Sequence, residues 1–415
     1  MREFEFQAVD WQELTLGEVC LFKGGNGFRE SLQGRTHGDY PFIKVSDLTL
    51  EGNEKYVSTA QNWVSKADLK ALRATLHPRG AVVFAKVGAA LKLNRRRILA
   101  RPTAIDNNMM AAIPTQNQLD SEYLYYFMLS QDLGRFSQES AVPSVNQGHL
   151  ASIEIYLPPL VEQVRIASVL RTWDAAIEKL AALRDAKERR LGSLRAALLF
   201  GNLRLNSLRK NWAPTRLGAV THELTRRNGA KGLGRDFVMG VTKAEGVVPM
   251  REQTIAGDIS RYKRLPPRAF AYNPMRINVG SIAMNELEDE VLVSPDYVVF
   301  ACNADGLDPD YLDHLRKTSW WAHYINSGGS GSVRQRTYYD DLAALKLPLP
   351  ELDEQKAIAA VLNTARADLA ATEREIEAVT LQKRGLMQKL LTGEWRVPLA
   401  PAETSAITEE TEHAG

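Results

Sequence analysis

The chain repeats itself once, and that repeat limits its architecture more than any other feature. Trp11-Gln-Glu-Leu-Thr-Leu16-Gly17 returns as Trp212-Ala-Pro-Thr-Arg-Leu217-Gly218, a W-x4-L-G pattern displaced by 201 residues. The stretch from Leu157-Pro158 through Glu162-Gln163, Ile166-Ala167 and Val169-Leu170 returns 192 residues later. Its second copy runs from Leu349-Pro350 through Glu354-Gln355, Ile358-Ala359 and Val361-Leu362. The same offset continues to Leu194/Leu386, Leu198/Leu390, Leu199/Leu391 and Gly201/Gly393. Trp11 to Glu162 spans 151 positions and Trp212 to Glu354 spans 142, yet Glu162–Gly201 and Glu354–Gly393 both span 39. A segment free to change length is followed, twice, by one whose length is held.

The constant segments are expected to be helices. Ile166, Val169, Leu170, Trp173, Ile177, Leu180, Leu191, Leu194 and Leu198 recur mostly at steps of three and four, as do Ile358, Val361, Leu362, Leu369, Ile376, Val379, Leu386 and Leu390. That spacing draws a narrow apolar seam along one helix face. Proline precedes each first turn, Glu162, Asp353 and Glu354 place carboxylates at the positive helix end, and Gly201 and Gly393 supply stops. At ~1.5 Å per residue each helix would be ~60 Å long. A long helix with a thin seam pairs with another, so the two copies are expected to form an antiparallel coiled coil.

The variable segments are expected to be α+β heads, with strands early and helices late. In the first, apolar runs occupy 40–48, 81–87 and 109–113, with a helix over 121–133. In the second they occupy 237–241, 269–272, 281–284, 291–293 and 297–301, with a helix over 309–325. The expected layout is a head over 1–158, a spacer helix over 159–201, a linker over 202–211, a second head over 212–350, a second spacer helix over 351–393 and a disordered acidic tail over 394–415. The whole would carry a pseudo-twofold internal repeat.

Charge and composition narrow the function. Lys plus Arg is 52 and Asp plus Glu is 50, a formal +2. All four charges in 398–415 are acidic, so Met1–Val397 carries 52 positive against 46 negative charges, a net +6. Two cysteines, Cys20 and Cys302, are too few for a disulfide framework or a zinc or iron–sulfur site. The seven histidines lack metal-ligand spacing. No apolar stretch is long enough to span a membrane and the charged start reads as no signal peptide, so a soluble, cytoplasmic protein is expected. Lys23-Gly24-Gly25-Asn26-Gly27 lacks phosphate-loop spacing. Asn273-Pro274-Met275-Arg276 departs from the Asn-Pro-Pro-Tyr motif of adenine methyltransferases, and no methyl-donor loop precedes it. Asp340-Asp341 reads as a cap. No catalytic centre and no cofactor or metal site is expected in this chain.

Basic and amide side chains collect instead in loops of both heads. Lys86, Lys92, Arg95, Arg96 and Arg97 follow a strand in the first, and Ser144, Asn146 and Gln147 occupy its late loop. In the second, Arg276 and Asn278 follow a strand, and Ser332, Arg334, Gln335 and Arg336 occupy the glycine-rich late loop. Arg, Asn and Gln form paired hydrogen bonds with guanine and adenine edges, and Lys and Arg neutralise phosphates. These fourteen residues are the candidate DNA-binding set.

The duplicated W-x4-L-G opening and the duplicated Leu-Pro-x-Leu-x-Glu-Gln-x-x-Ile helix start resemble the specificity (S) subunit of type I restriction-modification systems. Pro41–Leu48, Phe84–Gly88, Tyr272–Arg276 and Val293–Tyr297 add to the resemblance, which covers about 11–397. It implies a non-catalytic DNA reader: each head a target recognition domain contacting one half of a split double-stranded site, the helix pair a ruler between them. It also implies two modification subunits, carrying S-adenosylmethionine and methylating adenine, and restriction (nuclease/translocase) subunits using ATP and Mg. A coiled-coil scaffold whose heads bind proteins is the alternative.

Overall fold

The computed structural model describes residues 11–136, 143–205, 212–230, 232–327 and 336–397. The chain divides into two compact units, Met1–Lys179 with Ile376–Gly415, and Leu180–Glu375. The two long helices run Leu160–Leu198 and Leu352–Leu391, 39 and 40 residues. Each unit therefore holds one head, the first half of the helix that follows it, and the second half of the other helix. Boundaries drawn along the sequence cross these units, because neither helix is a body of its own.

The apolar seam explains the division. In the first unit Ile166, Ala167 and Leu170 from one helix and Leu390 and Leu391 from the other enter a single core with Phe84, Tyr123 and Leu124. In the second, Ile358, Ala359 and Leu362 join Leu191, Leu198 and Leu199 around Phe300, Tyr311 and Leu312. Full burial of a Leu or Ile side chain contributes about 1.5–3 kcal/mol, more than a half-covered seam between two isolated helices would give. The heads thus claim the ends of the seam. Polar pairs fix direction: Glu162 meets Arg396 and Asp174 meets Lys383 in the first unit. Lys187 meets Asp368 and Arg204 meets Glu354 in the second. Within each unit the helices are antiparallel.

Both heads are α+β. The first has an antiparallel run of Cys20–Gly24, Met109–Pro114, Val82–Ala85 and Arg96–Leu99, with Tyr56–Val57 parallel at the edge. A second sheet orders Trp63–Val64, Tyr40–Ile43, Thr103–Ile105 and Leu76–His77. The second head has the antiparallel order Thr221–Glu223, Val298–Cys302, Phe270–Tyr272 and Ile282–Met284. Two expectations are corrected. The helix expected over 309–325 is two, Pro309–Leu315 and Ser319–Ser327. Asp313 takes both Arg316 and Lys317, at 2.5 and 2.6 Å, and the Thr318 hydroxyl accepts from the Trp321 N–H, which starts a new helix. The strand expected over 237–241 begins at Met239, after a turn at Arg235–Phe237.

The repeated motifs meet as a clamp. Trp11 Nε1 donates to Glu162 at 3.1 Å, and Trp212 Nε1 to Glu354 at 3.0 Å. Arg396 grips both Glu162 oxygens at 2.7 Å, and Arg204 both Glu354 oxygens at 2.7 and 2.9 Å. Each guanidinium also lies over its Trp ring, 5.3 and 5.2 Å from the centroid. The adjacent glutamines act alike. Gln163 donates to Gln118 O and Pro158 O and accepts from Asp120 N; Gln355 donates to Gly306 O and Pro350 O and accepts from Asp308 N. Arg204 falls in the expected linker and Arg396 in the expected tail. Residues 202–205 and 394–397 are instead part of the units, because these arginines complete buried carboxylates; 206–211 and 398–415 lie outside the described residues.

The repeated glycines serve close packing. A Cβ on Gly17 would stand 2.9 Å from the Ala151 Cβ, and one on Gly218 2.8 Å from the Ala343 Cβ. Gly17→Ala and Gly218→Ala are expected to destabilise their units by about 1–3 kcal/mol in denaturant unfolding. Gly17→Ala with Ala151→Gly should recover most of the loss.

Two buried histidines set a pH dependence. His314 accepts from Arg195 Nε at 3.3 Å through Nδ1 and shares a 2.9 Å hydrogen bond with Asn363 through Nε2. Burial lowers it from 6.5 to about 4, with Arg195 and Lys317 opposing a proton and Asp313 and Asn363 favouring one. His77, fully buried with neither ring nitrogen partnered among the described residues, is also lowered to about 4 by burial. Between pH 6.5 and 4 the unfolded chain binds more protons, so stability falls as pH falls through that window. Each group contributes up to roughly a tenfold change in the folding equilibrium per pH unit. Urea midpoints taken from pH 7 to 4 should fall less steeply in His314→Gln.

Candidate nucleic-acid interface

The same backbone arrangement recurs at one end of the main sheet in each head. In the first, Val82–Ala85 runs out into Lys86-Val87-Gly88, and the late loop lies beside it. Val145 N donates to Lys86 O at 3.0 Å, Gly88 N to Pro143 O at 2.8 Å, and Val87 bridges Ser144. In the second, Phe270–Tyr272 runs out into Asn273–Arg276, and Thr337 N donates to Pro274 O at 3.1 Å. Asn146 and Tyr338 then stand alike at the N-caps of Gln147–Ala151 and Tyr339–Ala343. In the second, Asp341 accepts from the Tyr338 N–H, so this half of the Asp340-Asp341 pair is a cap. Strand end and late loop, 58 residues apart between Lys86 and Ser144, form one surface.

The candidate residues divide on this frame. Lys86 and Ser144 are half-buried and adjacent along the backbone, and Gln147 is exposed. Asn146 is exposed, but its Oδ1 accepts from His149 N at 2.8 Å, so one side of its amide is committed to the cap. Lys92 and Arg95 are exposed on and after the short helix Ala89–Lys92. Arg96 is corrected: it is 0% exposed, donates to Asn94 Oδ1 and Arg95 O, and stacks 5.1 Å from the Phe84 centroid. Burial pushes its guanidinium down to about 10. It alternates inward on the strand Arg96–Leu99 and supports the sheet. Arg97, half-buried, donates to Arg96 O at 2.7 Å. In the second head Arg276 and Asn278 are exposed around the turn Ile277–Val279, and Arg336 is exposed with Tyr338 OH 3.5 Å away. Ser332, Arg334 and Gln335 lie outside the described residues.

A cavity of about 340 Å³ opens here in the second head, walled by Asn273, Tyr297, Tyr338, Lys263, Asp296 and Glu223 among others. None of these six is in the basic set read from sequence. Tyr338 follows Arg336 closely, and that aromatic–basic spacing was the available signal. Among the described residues no cluster of three or more His, Cys, Asp and Glu could hold a metal, and no helix is long and apolar enough to cross a membrane.

Two heads of one plan, each clamped within its unit to the start of one long helix and the end of the other, define an internally duplicated protein of two like units. Residues 8–186 match the family described as type I restriction modification DNA specificity domain. The type I restriction enzyme MjaVIII specificity subunit of Methanocaldococcus jannaschii is 22% identical over 423 residues, covering 94% of this chain and 93% of that one. The putative MjaX specificity subunit of the same organism is 23% identical over 320 residues, covering 70% and 72%. The fold is shared with the type I restriction-modification S subunit of M. genitalium, at a TM-score of 0.54 and 12% identity over 96% of this chain and 99% of that one. These matches liken the chain to the specificity subunits of type I restriction-modification systems.

Proposed function

We propose that this chain reads DNA sequence for a type I restriction-modification complex, each head contacting one half of a two-part site and the helix pair holding the halves at a set spacing. The observation that carries the reading is the recurrence of one loop pair, strand end against late loop, in two heads that differ in sequence, on two helices of nearly equal length. Divergent loops on a constant frame are what two different half-sites at a fixed separation require. The chain itself is read as non-catalytic. S-adenosylmethionine, ATP and Mg belong in this reading to partner subunits: two modification subunits and the restriction subunits. Exposed Lys92, Arg95 and Arg276 supply phosphate contacts; Lys86, Ser144, Gln147 and Asn278 are the candidates for base edges.

Methylation sequencing of cells carrying the whole system tests this. The expected result is modified adenine in a motif of two defined parts separated by a fixed number of unspecified bases. A continuous motif, or DNA binding by the assembled complex that does not weaken between 50 and 200 mM salt, would favour the protein-binding scaffold.

A further inference from the structure

The two heads present different surfaces at the same place in the fold. The ladders give the correspondence. Phe22 pairs with Ala112 and Glu223 with Phe300; Phe84 pairs with Met110 and Tyr272 with Val298. Lys86 O and Pro274 O accept the matching late-loop amides of Val145 and Thr337. Counting outward from these anchors, Asn273 answers to Ala85, Tyr297 to Met109, Arg336 to Ser144, Tyr338 to Asn146 and Tyr339 to Gln147. The first head has no aromatic side chain at these positions. The second has three, and they wall the 340 Å³ cavity.

The chemistry of that cavity selects its occupant. Glu223, Asp296 and Asp340 line it against Lys263 and Arg336, and Lys263 stands 3.8 Å from Glu223. Three carboxylates against two cations disfavour a phosphate. They favour a neutral group that donates hydrogen bonds. The Asn273 amide keeps its position through its Oδ1, which accepts from Met275 N at 2.9 Å. The Tyr272 hydroxyl, on the residue before Asn273, is buried and has no hydrogen-bond partner among the described residues. Met275 and Tyr338, 43% and 53% exposed, are large apolar side chains held out at the cavity. Ligand pockets begin at about 300 Å³, enough for one planar ring and part of its sugar, and aromatic faces hold such a ring by stacking. A base inside a duplex cannot enter a concave site; it must leave the stack.

We propose that the second head takes one base out of the helix and lodges it in this cavity, the base being one with an exocyclic amine, adenine or cytosine. Tyr297 and Tyr338 stack on the ring, the carboxylates accept from the amine, and Met275 and the rim of Tyr338 fill the gap left in the duplex. The first head, with Lys86, Ser144 and Gln147 at this place, reads its half-site without unstacking. The proposal rests on the chain being the DNA reader of its complex.

A mismatch scan of the assembled complex on its own recognition site tests it. Only the opposite strand is altered, so each read base stays in place while its pairing is weakened, and unstacking becomes easier. At one position of the second head's half-site, other than the methylated adenine, a mismatch should tighten binding by roughly tenfold. Tyr297→Ala and Tyr338→Ala should reduce that gain to about twofold or less while mismatches in the other half-site behave as before. Tyr338 is exposed, so its replacement leaves the core untouched, and an unchanged melting temperature checks this. Weaker binding for a mismatch at every position of that half-site, or a gain that survives both tyrosine variants, overturns the cavity. Absence of any sequence preference in the unaltered complex overturns the DNA-reading function and the cavity with it.

Discussion

Glu354→Ala is expected to cost the second unit about 3–5 kcal/mol, and Glu162→Ala the first unit as much. Each carboxylate is nearly inaccessible, 3% and 1% exposed, and each satisfies an indole N–H and a bidentate guanidinium. Removing it takes the bidentate carboxylate from Arg204 or Arg396 and the acceptor from a Trp N–H. The arginine comes from the end of the opposite long helix, so the loss also frees that helix from the head. Denaturant unfolding followed by tryptophan fluorescence checks the size. A double-mutant cycle of Glu354→Ala with Arg204→Ala should return a coupling of about 2 kcal/mol or more, since neither half is useful without the other. A loss below 1 kcal/mol in both units would mean that the clamp is an ornament of the fold.

Exchange of residues 212–347 for the corresponding head of another specificity subunit is expected to change one half of the methylated motif completely and leave the other half and the spacing intact. The segment begins at Trp212 and ends within the strand Lys346–Leu349, which pairs with Ala213–Arg216, so the cut falls where a head closes on itself. It leaves Glu354, Gln355 and the whole second helix in place. The incoming head must bring its own Trp of the W-x4-L-G pattern, because Trp212 donates to the retained Glu354. Methylation sequencing of the chimera gives the result directly. A motif altered in both halves would show that the heads do not read independently. Insertion of whole helical turns into both long helices, where Lys187 meets Asp368, should widen only the spacing.

The legible part of the fold was the part written twice. Repetition at a fixed offset identified both long helices to within three residues at each end, because a helix seam is a local pattern that 3.6-residue periodicity exposes. The two arginines that lock the helices were missed although Gly201-x-x-Arg204 and Gly393-x-x-Arg396 continue the same offset. Their stretches look like linker and tail in composition, and only their carboxylate partners, 150 and 234 residues away, give them a role. The candidate interface divided in the same way. In sequence Lys86 and Ser144 belong to two separate clusters, and the sheet brings them together. Arg96 was named from type as well and is buried, since strand alternation turned it inward onto Phe84.

Sequence alone determined that there are two heads, two long helical segments of one length and no duplication of the candidate interface loops. These follow from counting, and counting needs no coordinates. Tertiary structure decided where each helix end goes, which of the basic side chains reach solvent, and that the second head carries a cavity of three tyrosines where the first carries Met109, Asn146 and Gln147. Such outcomes depend on pairings between residues far apart in the chain, where burial and hydrogen-bond satisfaction, not local propensity, set the result.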